Sequence, residues 1–133
     1  MKTLHKTIFI SFFLMTFYIF GQGTAIGKWK SYFPYNNVID IALADTKVYA
    51  ATKNAIFVLN KEDGSIQKIT KLDGLTGGEI SAMAFAKSVS TLIIGYQDGN
   101  IDLIKGNVIS TISTIKNDNF TNDKRINNIY VLN

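Results

Sequence analysis

Asp98 and Asp102 stand four residues apart, and two carboxylates held in different surroundings can serve as general acid and general base. The local pattern separates them. Asp98 falls in the turn Gln97-Asp98-Gly99, while Asp102 sits on a strand whose other face is taken by Ile101 and Leu103. They read as turn chemistry and strand polarity. The run from Asn117 to Asp123 is rich in oxygen donors, but it lacks the glycine and terminal glutamate of a helix–loop–helix calcium site and reads as a polar loop. Asp73-Gly-Leu-Thr-Gly-Gly78 is glycine-rich, yet it precedes a strand rather than a helix and so lacks the helix N-terminus that lets such loops hold phosphate. It is expected to cross from the outer strand of one repeat to the inner strand of the next. Trp29, Tyr32, Phe33 and Tyr35, with Lys28 and Lys30, could stack on a sugar; packing between sheets is the reading adopted for them.

The nucleophilic chemistries are poorly served. The chain has no cysteine and a single histidine, His5, so thiolate catalysis, a cysteine metal site, a disulfide framework and a histidine-rich metal centre are excluded. No catalytic, cofactor-binding or metal-ligating residue is assigned, and the expectation is a protein that is not an enzyme. The 133 residues carry a net charge of +4, which needs checking against where the charges lie.

Lys2, His5 and Lys6 precede thirteen uncharged residues, Ile8 to Phe20. That stretch is too short for a transmembrane helix and suits the apolar region of a secretory signal peptide. Small residues follow at Gly21, Gly23 and Ala25, so residues 1–23 are read as a leader and residues 24–133 as the mature domain, with no membrane span after cleavage. Removal leaves 12 basic and 10 acidic residues, a net charge of +2. Half of the apparent basicity and the sole histidine belong to the leader. No nucleic-acid partner is expected from so weak a footprint.

The rest is organised by a repeat. Val38–Leu43 is echoed at residues 80–85 and again at 126–131, offsets of 42 and 46 residues. Residues 47–52 pair with 91–96, residues 55–59 with 100–104, and residues 66–69 with 108–112. Each repeat therefore holds four short segments rich in Val, Ile, Tyr and Phe, joined by turn residues, at the spacing of a four-stranded propeller blade. No stretch of the mature chain has a helical apolar stripe. The fold class is all-β: a β-propeller of four-stranded blades, present as an incomplete N-terminal fragment of two blades plus one strand. Residues 29–32 resemble an outermost strand that could close a ring from the N-terminal side.

Leu72-Asp-Gly-Leu-Thr76, Ile80-Ser-Ala-Met83 and Leu92-Ile-Ile-Gly-Tyr-Gln-Asp-Gly-Asn-Ile101 resemble the propeller repeat of two-component regulators. Ile93, Tyr96 and Asn100 stand where that repeat carries Trp, Thr and Gly. A longer ordered series is similar to the N-terminal propeller of the PorZ family of type IX secretion proteins. It comprises Gly27-Lys-Trp29, Tyr35-Asn-Asn37, Val48-Tyr-Ala-Ala-Thr52, Gly74-Leu75, Leu92 to Tyr96, Gly99 to Leu103, Ile109 to Lys116 and Asp123 to Asn127. The resemblance implies a large exported protein with two propellers and further β domains on the outer cell surface. It also implies work beside the sortase PorU, helping to supply anionic lipopolysaccharide for attachment to secreted cargo. An exported binding and assembly module is the reading this supports. A periplasmic sensor propeller of a hybrid two-component histidine kinase is the alternative. A propeller enzyme acting on polysaccharide would need carboxylates in blades beyond these two.

Overall fold

A computed structural model describes residues 36–132, and the leader (1–23) and the aromatic cluster at Trp29 to Tyr35 lie outside these residues. The described chain forms two four-stranded antiparallel sheets, with strand orders β1-β2-β3-β4 and β5-β6-β7-β8. The first contains β1 (Val38–Leu43), β2 (Lys47–Thr52), β3 (Ala55–Asn60) and β4 (Ile66–Thr70). The second contains β5 (Ile80–Ala86), β6 (Thr91–Tyr96), β7 (Ile101–Lys105) and β8 (Val108–Ile112). Each sheet is a simple up-and-down meander, the form of a propeller blade. Among the described residues, helix is confined to single turns at Lys71–Asp73, Lys87–Val89 and Thr114–Asn117.

Local chemistry explains the turns. Residues 53 and 54 alone join β2 to β3. In the matching turn of the second blade, the Asp98 carboxylate accepts from the Asn100 N–H at 3.1 Å, and Gly99 supplies a φ of +83° that a residue with a Cβ adopts only under strain. Between β3 and β4, Asp63 accepts from both the N–H and the hydroxyl of Ser65.

The two blades share a slab of side chains set by the two-residue alternation of each strand. From the first blade come Ala51 on β2, Ile56 and Val58 on β3, and Ile69 on β4; from the second come Met83 and Phe85 on β5, Leu92 and Ile94 on β6, and Ile104 on β7. Ile56, Leu92 and Ile94 are buried to within 1% of complete exclusion from solvent. The rings of Tyr49 and Phe85 stack across the junction with centroids 5.8 Å apart. Truncating one of the buried aliphatic residues to alanine removes apolar area and leaves a cavity, at a cost of about 2–5 kcal/mol.

The first strands of the blades carry the same irregularity, a register shift between Val38 and Asp40 in β1 and between Ile80 and Ala82 in β5. Such bulges re-aim side chains. Here Asp40 Oδ2 accepts from the backbone N–H of Met83 at 2.7 Å, linking β1 to β5. In the second blade a different contact makes the link, Ser81 donating its hydroxyl to the Ile126 carbonyl at 2.7 Å.

Residues 126–131 were expected to form a further first strand, and they carry no strand. An inner strand takes its ladder from the second strand of its own blade, and the described residues contain none for it. The segment rests on the second blade instead: the Ile126 N–H donates to the Tyr96 carbonyl at 3.1 Å. A Cβ built on Gly95 would lie 2.5 Å from Ile126 Cγ2. The small residue at position 95 is thereby explained, since the incoming segment packs onto bare backbone there.

Candidate functional site

The junction between the blades is built around the crossover from β4 to β5. Thr70 ends β4 and caps the following turn: its hydroxyl accepts from the Leu72 N–H at 3.2 Å, and Asp73 Oδ2 accepts from the Thr70 N–H and hydroxyl, both at 2.8 Å. Residues 74–79 then run to β5 as expected for the glycine-rich loop.

Asp102, on β7, holds that loop. It is fully excluded from solvent and accepts four hydrogen bonds. Its Oδ2 takes the Tyr96 hydroxyl at 2.6 Å and the Thr76 N–H at 3.0 Å. Its Oδ1 takes the Thr111 hydroxyl at 2.6 Å and the Thr76 hydroxyl. The two threonine oxygens are 2.8 Å apart, and with one proton each, both are committed to the carboxylate. A buried carboxylate without donors is very costly, and four neutral donors replace its lost water. The sequence reading treated Asp102 as strand polarity; the structure makes it the hub joining β6, β7, β8 and the crossover. Asp98 and Asp102 do not form a pair. Burial pushes the Asp98 carboxyl up, but the Lys116 hydrogen bond at 3.0 Å, the Asn100 N–H and the Lys116 charge outweigh it and hold it below the usual range.

Tyr96 is equally constrained. Burial, then the hydrogen bond to Asp102, pushes its phenol well above the ordinary tyrosine value. Its ring lies against Gly77, where a Cβ would come within 2.1 Å of a ring carbon. Asp102 has its oxygens engaged and Tyr96 is held protonated, so neither is free to move a proton for a molecule from solvent. Their role is to fix the crossover.

Above this network lies a cleft of about 250 Å³ lined by Asn54, Lys71, Leu75, Gly77, Gly78, Glu79, Ile80 and Tyr96. Glu79 on its rim is already met by Lys53 at 3.1 Å and by Gln97 at 3.0 Å. A second groove of about 190 Å³ opens between the blades near Lys47, Tyr49, Gln67, Asp73 and Asn107. The oxygen-rich run at 117–123 is served by a cation of the chain itself: the Lys124 ammonium donates to the carbonyls of Lys116 at 2.7 Å and Asp118 at 2.8 Å. Among the described residues no three of His, Cys, Asp and Glu gather where they could hold a metal ion. No helix among them is long and apolar enough to cross a membrane.

Four-stranded meanders set side by side through a shared apolar slab, with their first strands adjacent and a bridging crossover, define blades of a β-propeller. Residues 48–133 match the family described as the type IX secretion system PorZ N-terminal β-propeller domain, and the chain belongs to that family. Among solved structures it is similar to PorZ of Porphyromonas gingivalis, described as an essential bacterial surface component of the type IX secretion system. The TM-score is 0.66 with 21% identity, over 71% of this chain and 13% of that one. This chain thus spans a small part of that protein's length. No match was found among curated proteins. Val48 to Thr52, Leu92 to Tyr96 and Gly99 to Leu103 fall inside the matched range, and Gly27-Lys-Trp29 and Tyr35-Asn-Asn37 precede it.

Proposed function

We propose that this propeller serves an exported, cell-surface component of the type IX secretion system, as a binding and assembly module rather than a catalyst. The observation that carries this reading is the family match over residues 48–133. Two features of the described residues support the non-catalytic part: their one fully buried carboxylate is consumed by the crossover network, and residues 36–132 contain neither His nor Cys. In the finer form of the proposal, the protein works with the sortase PorU and helps attach anionic lipopolysaccharide to secreted cargo. The leader at 1–23 would deliver it across the inner membrane.

The experiment is deletion of the gene in its host, with surface proteolysis of tagged protein in intact cells. Expected are loss of cargo from the cell surface, cargo accumulating without lipopolysaccharide, and protease access to the tagged protein from outside. Normal modified cargo in the deletion strain would overturn the secretion role. A protected, intracellular tag would overturn the surface placement.

A further inference from the structure

β8 (Val108–Ile112) is the outer edge strand of the second blade, and it lacks the features that normally keep an edge from pairing. Its residues, Val-Ile-Ser-Thr-Ile, include no charge and no proline. Its register with β7 runs without a shift from Lys105 opposite Val108 to Ile101 opposite Ile112. β4, the matching edge of the first blade, carries Lys68 at its centre.

Hairpin geometry decides which backbone groups this edge offers. Gly106 and Asn107 alone join β7 to β8. Lys105 and Val108 therefore close the hairpin as a hydrogen-bonded pair, and such pairs recur at alternate residues. Val108, Ser110 and Ile112 turn their N–H and C=O groups to β7. Ile109 and Thr111 turn theirs away from the sheet, and no turn, loop or cap among the described residues bonds to either backbone. The side chains divide between the two faces. Ile109 and Thr111 face the first blade, Ile109 against the apolar slab and Thr111 donating to Asp102. Val108, Ser110 and Ile112 are exposed on the opposite face.

The edge is its own complement. Laid antiparallel about a two-fold axis through Ser110, two copies of β8 bring Ile109 opposite Thr111 of the second copy, and the converse. Both residues carry outward backbone groups, so each pair exchanges two hydrogen bonds, as the antiparallel ladder requires. Val108 falls opposite Ile112 of the second copy, in the pairs whose side chains approach most closely. These residues are 67% and 44% exposed. No charge meets a like charge in this arrangement. The same operation on β4 would set Lys68 against Lys68 of the second copy, a destabilising pair. Charge thus separates two edges of equal length.

We propose that β8 is a self-association edge, pairing antiparallel with β8 of a second copy of this chain about Ser110. The contact is confined to one strand per copy and falls below the roughly 800 Å² per partner of a stable complex. The dimer is therefore reversible and depends on concentration. It does not depend on the secretion role proposed above.

The test uses the full protein. Sedimentation velocity up to roughly millimolar concentration should show a monomer–dimer equilibrium. Ser110→Cys sets two thiols across the axis on Cα atoms about 4.5 Å apart, within the roughly 4.4–6.8 Å that a disulfide spans. Under mild oxidation it should form a covalent dimer faster than Glu62→Cys, a control in an exposed turn. Ser110→Lys sets like charges on the axis and should weaken association by up to about fivefold, an effect that salt at about 1 M removes. A protein that stays monomeric would overturn the proposal. So would cross-linking of Ser110→Cys no faster than that of Glu62→Cys, or association of undiminished strength in Ser110→Lys.

Discussion

The hydroxyl of Tyr96 donates to Asp102 Oδ2 across 2.6 Å, inside the second blade and out of reach of solvent. The two residues lie on neighbouring strands, β6 and β7, and face the first blade together with Leu92, Ile94 and Ile104. This polar pair sits in an apolar slab because the crossover must be pinned there. Four donors converge on one carboxylate and draw β6, β7, β8 and the loop to the same point.

Removing either partner should therefore be expensive in different ways. Tyr96→Phe deletes one hydrogen bond to a charged acceptor and should cost about 1.5–3 kcal/mol. Asp102→Ala strands the donors of Thr76, Thr111 and Tyr96 and should cost more than Tyr96→Phe. Denaturant unfolding of the intact protein measures both, and an Asp102→Ala cost no larger than that of Tyr96→Phe would contradict the hub.

The alkaline side of the stability profile carries a signature of the same residue. Tyr96 titrates higher in the folded chain than its ordinary value of 10.0, so above pH 10 the unfolded chain releases a proton that the folded chain keeps. Stability is then complete below pH 10 and falls as pH rises past it. Tyr49, also raised by burial, adds to the slope. Tyr96→Phe should flatten the loss without abolishing it, as read from unfolding free energies between pH 8 and 11.

Gly95→Ala places a Cβ 2.5 Å from Ile126 Cγ2 and 2.6 Å from its Cβ. Overpacking of this kind costs about 1–3 kcal/mol. Adding Ile126→Gly, which removes the Cβ as well as the branches beyond it, should recover part of that cost, giving a coupling of at least about 0.5 kcal/mol in a double-mutant cycle. Strict additivity would mean that residue 126 does not rest on β6 in solution.

Lys124→Met removes the ammonium held by the Lys116 and Asp118 carbonyls. Amide hydrogen exchange in residues 116–124 should accelerate while exchange in β6 and β7 stays unchanged. Added calcium should restore nothing, because carbonyls without a carboxylate cluster do not replace the lost cation.

Much of the blade architecture was legible before any coordinates. The four segments per repeat, the turn at 97–99 and the crossover at 73–78 follow from alternation and turn chemistry, which are local properties. Asp102 was not legible in its role. Its alternation with Ile101 and Leu103 put it on the face of Ile104, which was a hint, but its partners Thr76 and Thr111 lie 26 and 9 residues away. Position 126 misled for a related reason: its apolar pattern repeats that of β1 and β5, yet a strand requires a partner as well as a pattern.

By itself, then, the sequence determined strand identity, repeat length and the absence of thiol and imidazole chemistry in residues 36–132, since each depends on residue types at short spacing. Only the tertiary structure decided which polar residues are buried. That choice depends on how the crossover packs over the sheet, bringing Tyr96, Asp102, Thr76 and Thr111 together from three strands and a loop, a convergence that no periodicity along the chain records.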